Sequence, residues 1–319
     1  MNKIKIGIIT NGNYVDKYTY DLIKWLKGNK KNFYFEYFIS IPAERKKIKS
    51  NKVLKKILFR LIIFFENLML KAQKKHVDHL SKYYIKNIVG KEIKIRLIEK
   101  NEYHKKDLKY VKNKKFDILV RCCVNVLTKD FLKISKHGII SFHHGDYKKY
   151  RGSPAGFWEV FNKETKTGFM LQKINKDLDF GNIILNGFVQ TKPFFLLNQA
   201  ELYKKSNFYL KKILLDFVKR KKFLFLKKTK KGKIYETPKI YNQIKYICQT
   251  IKILTKRYFL NNYNFKLALF NENKINSPLI IKNDQNKFLA DPFLIKHKNE
   301  IYCFAEEYDQ QKKEDILFV

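Results

Sequence analysis

Apolar and polar positions change period along this chain, and the change divides it. Lys3–Thr10 (KIKIGIIT) is a buried-type strand run. Asp16–Leu26 places Tyr20, Leu22, Ile23 and Leu26 at helical spacing and predicts an amphipathic helix. Strand-like runs recur at Phe33–Ser40, Ile93–Glu99, Phe116–Val124 and Gly138–His143. Strands alternating with helices predict an α/β fold, a mostly parallel sheet with helices on both faces. Ligands of such sheets sit beyond the carboxyl ends of strands, and His143 stands at such an end.

Gly7 and Gly12 near the first strand do not form a GxGxxG pattern and read as an ordinary strand-to-helix turn. The run from Val53 to Ala72 is too short for a membrane span and is broken by Arg60 and Glu66. It reads as an inserted helix, either packed on the domain or forming a dimer face, or else lying on an anionic membrane. After residue 179 the pattern changes. Gly168–Ile174 and Asn182–Gln190 predict antiparallel strands around a turn. Asn198-Gln-Ala-Glu201 resembles an Asn-led capping box opening a helix to Lys219. Lys219–Lys231 is a basic run and a boundary. A helix is expected at Ile240–Leu254. Short strands follow at Lys266–Phe270, Leu279–Ile281, Phe293–Lys296, Ile301–Ala305 and Ile316–Val319, and they suggest the start of an all-β module that is not completed here.

Composition then narrows the function classes. The 319 residues carry 68 Lys+Arg against 29 Asp+Glu, a net charge of +39. The cations are mostly Lys, whereas groove recognition of DNA favours Arg forks. No helix-turn-helix, zinc-finger or RNP pattern is present, so specific nucleic-acid binding is not expected. The charge is read two ways: drift in a Lys/Ile/Asn-rich composition, or attraction to phosphates, nucleotide sugars or acidic membrane. The cysteines are Cys122, Cys123, Cys248 and Cys303. Neighbours on a strand point to opposite faces, so Cys122 and Cys123 cannot share a metal site, and no metal is expected. Met1-Asn-Lys runs directly into a strand without a signal-peptide pattern, so the chain reads as cytoplasmic with reduced thiols.

The chemistry concentrates between Gly138 and Leu185. Ser141 and His143 are two apart on one strand and share a face, while His144 points to the other. A loop with Gly145, Gly152 and Pro154 follows, then Asp179 in a tight turn.

These motifs resemble those of the folate-dependent formyltransferases, whose methionyl-tRNA formyltransferase-like N-terminal domain carries Asn-x-His at a strand end. A Tyr/Trp-Arg-Gly loop with Pro, then Thr-Gly and Leu-Asp-x-Gly, follow in that family. The chain shows Ser141-Phe142-His143, Tyr150-Arg151-Gly152-Ser153-Pro154, Thr167-Gly168 and Leu178-Asp179-Phe180-Gly181. The resemblance implies 10-formyltetrahydrofolate as cofactor and formyl transfer to an amine. It implies His143 as general base or oxyanion stabiliser and Asp179 as the group that orients it. Gly181 would permit the tight turn and, with Gly152, a close substrate approach. Arg151 is either a phosphate or carboxylate clamp or a structural ion-pair partner. Ser141 stands where the family has the asparagine that donates to the oxyanion. Losing such a donor commonly costs roughly 10²–10³ in rate. His144-Gly145-Asp146-Tyr147 and Gly156-Phe157-Trp158-Glu159 depart from the well-known members. They imply an acceptor other than initiator methionyl-tRNA, with an amino sugar or sugar nucleotide of surface-glycan synthesis expected.

Farther on, Phe288-Leu289-Ala290-Asp291-Pro292-Phe293 and Ile301–Tyr308 resemble the opening blade of a five-bladed β-propeller. The likeness is to the N-terminal domain of plant glucosamine inositolphosphorylceramide transferases and to family-43 glycosidases. It implies a propeller site at Asp291, with Glu306 beside it. The expected organisation is a formyltransferase-like domain over 1–220, a basic helical linker over 221–260 and an incomplete propeller-like module over 261–319. The alternative function is a glycosyltransferase- or glycosidase-like enzyme whose chemistry lies in the propeller, with an inactive binding domain before it.

Overall fold

The structure is a computed structural model. It describes residues 3–43, 53–70, 78–99, 102–125, 127, 129–175, 181–227, 232–259, 267–271, 274–284, 287–298, 300–309, 312 and 314–318. The chain divides into two compact units, Met1–Thr250 and Ile251–Val319. The expected linker falls across this division.

The first unit is built on a twisted sheet of mixed direction. Its strands are β1 (Ile4–Thr10), β2 (Tyr37–Ser40), β3 (Lys91–Lys94), β4 (Ile118–Arg121), β5 (Ile139–His143), β6 (Lys166–Lys173) and β7 (Asn182–Gln190). The spatial order is β7-β6-β5-β4-β1-β2-β3. Strands β5, β4, β1, β2 and β3 run parallel, whereas β6 and β7 join antiparallel at one edge. The run expected as one strand at Phe33–Ser40 is split. Phe33–Tyr34 pairs with the start of β1, and β2 pairs with its end.

Alternation along β1 divides the core between the two sheet faces. Ile6 and Ile8 pack with Leu22, Ile23 and Leu26 of α1 (Lys17–Gly28). Leu210, Leu214 and Phe217 of α5 (Phe195–Arg220) complete that layer. Ile9 faces the other way, with Leu108 and Val111 of α3 (Lys105–Asn113) and with Phe131. Helices therefore cover both faces, as expected for a sheet buried on both sides. Three other helices are α2 (Val53–Met69), the short α4 (Phe157–Phe161) and α6 (Ile240–Phe259).

The start of α5 departs from the sequence reading. Asn198 does not cap this helix. It lies inside the first turns, fully buried, and its Nδ2 donates to the Gly156 carbonyl while its Oδ1 accepts from Lys192 N–H. The first N–H groups of α5 are served instead by Glu66, far away in sequence on α2. Glu66 Oε2 accepts from Leu196 N–H at 2.8 Å and Oε1 from Phe195 N–H at 3.3 Å. The Tyr246 hydroxyl of α6 donates to the same Oε1. A carboxylate at a helix N-terminus satisfies orphan donors and meets the positive end of the dipole. Burial raises the Glu66 pKa, and the three donors pull it back.

The second unit holds a hairpin, β8 (Leu267–Asn271) with β9 (Lys274–Ile281), and a three-stranded antiparallel meander. The meander consists of β10 (Lys287–His297), β11 (Glu300–Asp309) and β12 (Glu314–Phe318). Leu267, Leu289 and Ala305 form its small core. The described strands of this unit form a hairpin and a meander, and a closed propeller is not shown.

Candidate active site

The carboxyl ends of β1, β4 and β5 meet where the strand order reverses: the chain goes from β1 to β2 on one side and later fills β4 on the other. Such a switch point is where open α/β sheets bind ligands. In-register pairing puts Arg121 of β4 beside Ser141 of β5, and Ser141 beside Gln172 of β6. Side chains at paired positions share a face, so three polar groups form a row across the sheet. His143 continues that face one step further along β5. Ser141 is 2% and His143 6% exposed.

Arg121 is held from behind and reaches forward. Its Nε and Nη2 donate to the Asn125 carbonyl at 3.0 and 2.7 Å, and its Nη1 donates to Ser141 Oγ at 3.3 Å. The loop that supplies this carbonyl is itself pinned. Asn11 Nδ2 donates to Asn125 Oδ1 at 2.7 Å, and Val124 N–H donates to Asn11 Oδ1. Asn125 Nδ2 donates to the Pro42 carbonyl. Burial pushes the neighbouring Cys122 thiol up to about 11, so it is a packed thiol and not a nucleophile at neutral pH.

His143 Nε2 lies 3.4 Å from the Tyr150 carbonyl. A carbonyl only accepts, so this contact favours the tautomer with the proton on Nε2. The loop doubles back closely enough that a Cβ on Gly145 would stand 2.4 Å from the Tyr150 oxygen, which explains glycine there. His144 turns to the opposite face, among Tyr18, Phe142 and Tyr203, and lies 2.9 Å from Ser206 Oγ. Burial, with His143 adding to it, drops its pKa to about 3, so it stays neutral. Beneath the loop, Glu159 of α4 is fully buried and is raised to about 7, chiefly by desolvation.

Residues 63–217 match the formyl transferase family. That segment is formyltransferase-like. Among curated proteins, the methionyl-tRNA formyltransferase of Thermotoga neapolitana is 27% identical over 150 residues, 46% of this chain and 45% of that protein. The GDP-perosamine N-formyltransferase of Brucella melitensis is 34% identical over 55 residues, 17% of this chain and 21% of that protein. The chain spans less than half the length of the curated relatives it matches. A sugar N-formyltransferase from a Shewanella species superposes with a TM-score of 0.46 at 15% identity, covering 88% of this chain and 97% of that one.

Within the formyltransferase-like segment the structure sorts the expected site residues. Ser141 and His143 stand together. Asp179 lies outside the described residues. Gly181 N–H donates to Gln172 Oε1 at 2.6 Å, and Gln172 is the cross-strand partner of Ser141. A Cβ on Gly181 would lie 2.2 Å from the Lys173 carbonyl. Arg151 is buried and its Nη1 donates to the Gly232 carbonyl at 3.4 Å. Gly152 has φ 95°, and a Cβ there would meet the Tyr235 carbonyl at 2.1 Å. Arg151 and Gly152 thus tie the loop to Lys233–Tyr235, a parallel pairing with Tyr150–Gly152 that sequence patterning did not suggest. Sequence reasoning also missed Arg121, Asn11, Asn125 and Gln172. A lone Arg at the end of an apolar strand (ILVR) was the available signal.

In the second unit, Asp291 is exposed with φ 45° at a register shift between Ala290 and Phe293, and Glu306 is exposed opposite Ala290.

Proposed function

We propose that this chain transfers a formyl group from 10-formyltetrahydrofolate to the amine of an amino sugar carried on a nucleotide. One observation carries the reading: Arg121 Nη1, Ser141 Oγ and His143 share one face at the carboxyl edge of the sheet, inside the family-matching segment. The donor set fits a formyl carrier, because the Arg121 guanidinium stands beside an imidazole where a carbonyl oxygen gains negative charge, and the Ser141 hydroxyl, which donates to the Phe142 carbonyl, would turn to it. Bound folate supplies the formyl group. Arg121 and Ser141 would hold its oxygen, and the pinned backbone of 122–125 would lie beside it.

In this mechanism His143 removes the proton from the acceptor amine or passes it on. Asp179 would keep the imidazole oriented and favour its cationic form once protonated. Ser141 stands where the family has its asparagine and is shorter; Arg121, whose Nη1 donates to Ser141 Oγ, would add a charged donor there. The Brucella relative's name supports a nucleotide-sugar acceptor. The +39 charge of the chain supports attraction of its phosphates.

The test is formyl transfer by the purified full chain with 10-formyltetrahydrofolate and a panel of amino-sugar nucleotides. Release of tetrahydrofolate that depends on the acceptor, and that His143→Gln abolishes, is the expected result. Absence of folate binding in calorimetry refutes the reading.

A second reading keeps the chemistry in the second unit, as a glycan enzyme of propeller type. The exposed Asp291 at the register shift, with Glu306 exposed opposite Ala290, favours it. Under that reading Asp291→Asn, and not His143→Gln, abolishes activity.

A further inference from the structure

We infer that the outward face of α2 docks on an anionic lipid bilayer, with the helix lying along the surface. The inference is independent of the formyl-transfer reading. α2 has two unlike faces. Phe59, Ile62 and Glu66 point into the first unit. The opposite face exposes Leu54, Ile57, Leu61, Phe64, Phe65 and Leu68, each between 45 and 63% accessible. Leu54, Ile57, Leu61, Phe64 and Leu68 follow one another at helical spacing and form a single stripe down the whole helix. Apolar patches of this continuity on a soluble surface mark interaction sites.

The charges beside the stripe select the occupant. The only carboxylate in α2 is Glu66, and it is buried against the start of α5. The exposed polar residues of the helix are Arg60 and Asn67, and Lys55 and Lys56 flank the stripe half-buried. The outward surface of α2 thus combines large apolar groups with cations and carries no acid. A second copy would bring a like stripe but also another +39 chain, and repulsion opposes that pairing. An anionic bilayer meets both requirements, since apolar side chains enter the acyl boundary while cations face the lipid phosphates. Crossing is excluded for α2 by its length and by Arg60 and Glu66, and no described helix is long and apolar enough to span. The start of α6 extends the apolar surface: Tyr241 and Ile244 are exposed, and Gln243 between them donates to the Lys55 carbonyl.

The experiment is co-sedimentation of the full chain with vesicles of phosphatidylglycerol and phosphatidylcholine in equal parts, against vesicles of phosphatidylcholine alone. The chain should bind the anionic vesicles at least about tenfold more tightly. The pair Phe64→Ser and Phe65→Ser, on exposed positions, should weaken that binding at least about tenfold with an unchanged thermal melt. The pair Lys56→Glu and Arg60→Glu leaves the stripe intact and should weaken it to a similar extent. Three results overturn the inference: no binding to either vesicle, equal binding by the wild type and the Phe64/Phe65 variant, or a dimer in sedimentation equilibrium that the Phe64/Phe65 variant abolishes.

Discussion

Replacing Arg121 by Met tests the site most sharply, because the structure gives this side chain two separable jobs. Met keeps the stem and removes every donor. The Asn125 carbonyl then loses both partners, at 3.0 and 2.7 Å, and Asn125 is buried. Hydrogen bonds from a charged donor contribute about 1.5–3 kcal/mol, so a stability loss of roughly 2 kcal/mol is expected. The second job is the donor that Nη1 holds at Ser141 Oγ, 3.3 Å away. If that donor meets the developing charge, its loss should lower kcat by about 10²–10³, equivalent to about 2.7–4 kcal/mol of barrier. Ser141→Ala leaves the guanidinium in place and should cost less than Arg121→Met. Urea melts would report the first effect, and single-turnover release of tetrahydrofolate at a temperature where both proteins are folded would report the second. A kcat for Arg121→Met within a few-fold of wild type, with the stability loss present, would refute the catalytic role and leave Arg121 as a brace for the 122–125 loop.

Two further predictions concern buried ionisable groups. Glu66→Ala leaves the Leu196 N–H and the Tyr246 hydroxyl without their acceptor, at about 1–3 kcal/mol each. A loss of about 2–6 kcal/mol is expected in chemical denaturation, and Glu66→Gln, which keeps an acceptor oxygen, should lose less. Equal losses would show that the space Glu66 fills matters and not its oxygens. His144 and Glu159 should give opposing pH dependences. His144 is lowered from 6.5 to about 3, so from 6.5 downward the unfolded chain takes up the proton and stability falls as pH falls. Glu159 is raised from 4.5 to about 7, so the native state holds the extra proton and stability falls as pH rises through that range. Each slope approaches about 1.4 kcal/mol per pH unit, and between pH 4.5 and 6.5 the two cancel. Glu159→Gln should therefore gain stability with rising pH over this window, and His144→Phe should lose it. Parallel profiles for the two variants would contradict these assignments.

The local pattern of the sequence determined a good deal. Strand runs such as KIKIGIIT and GIISFH are short, β-branched and bounded by turn residues, so their strand character follows from local sterics and burial. Period-two geometry alone separates Ser141 and His143 from His144. What neighbours across the sheet contribute has no local signature. Arg121 reads as one polar residue ending an apolar strand until register sets it beside Ser141. Asn198 reads as a helix cap, because capping propensity is local, yet Glu66 of α2 performs that task across 130 positions. The helix could then start earlier, and Asn198 was free to bind the Gly156 carbonyl. Glu66 itself reads as a break in an apolar run, whereas packing buries it and turns the apolar positions outward. Hydrophobic patterning states which residues avoid water. Only the packed sheet and its helices decide which polar groups meet, and which apolar face is left for something else to cover.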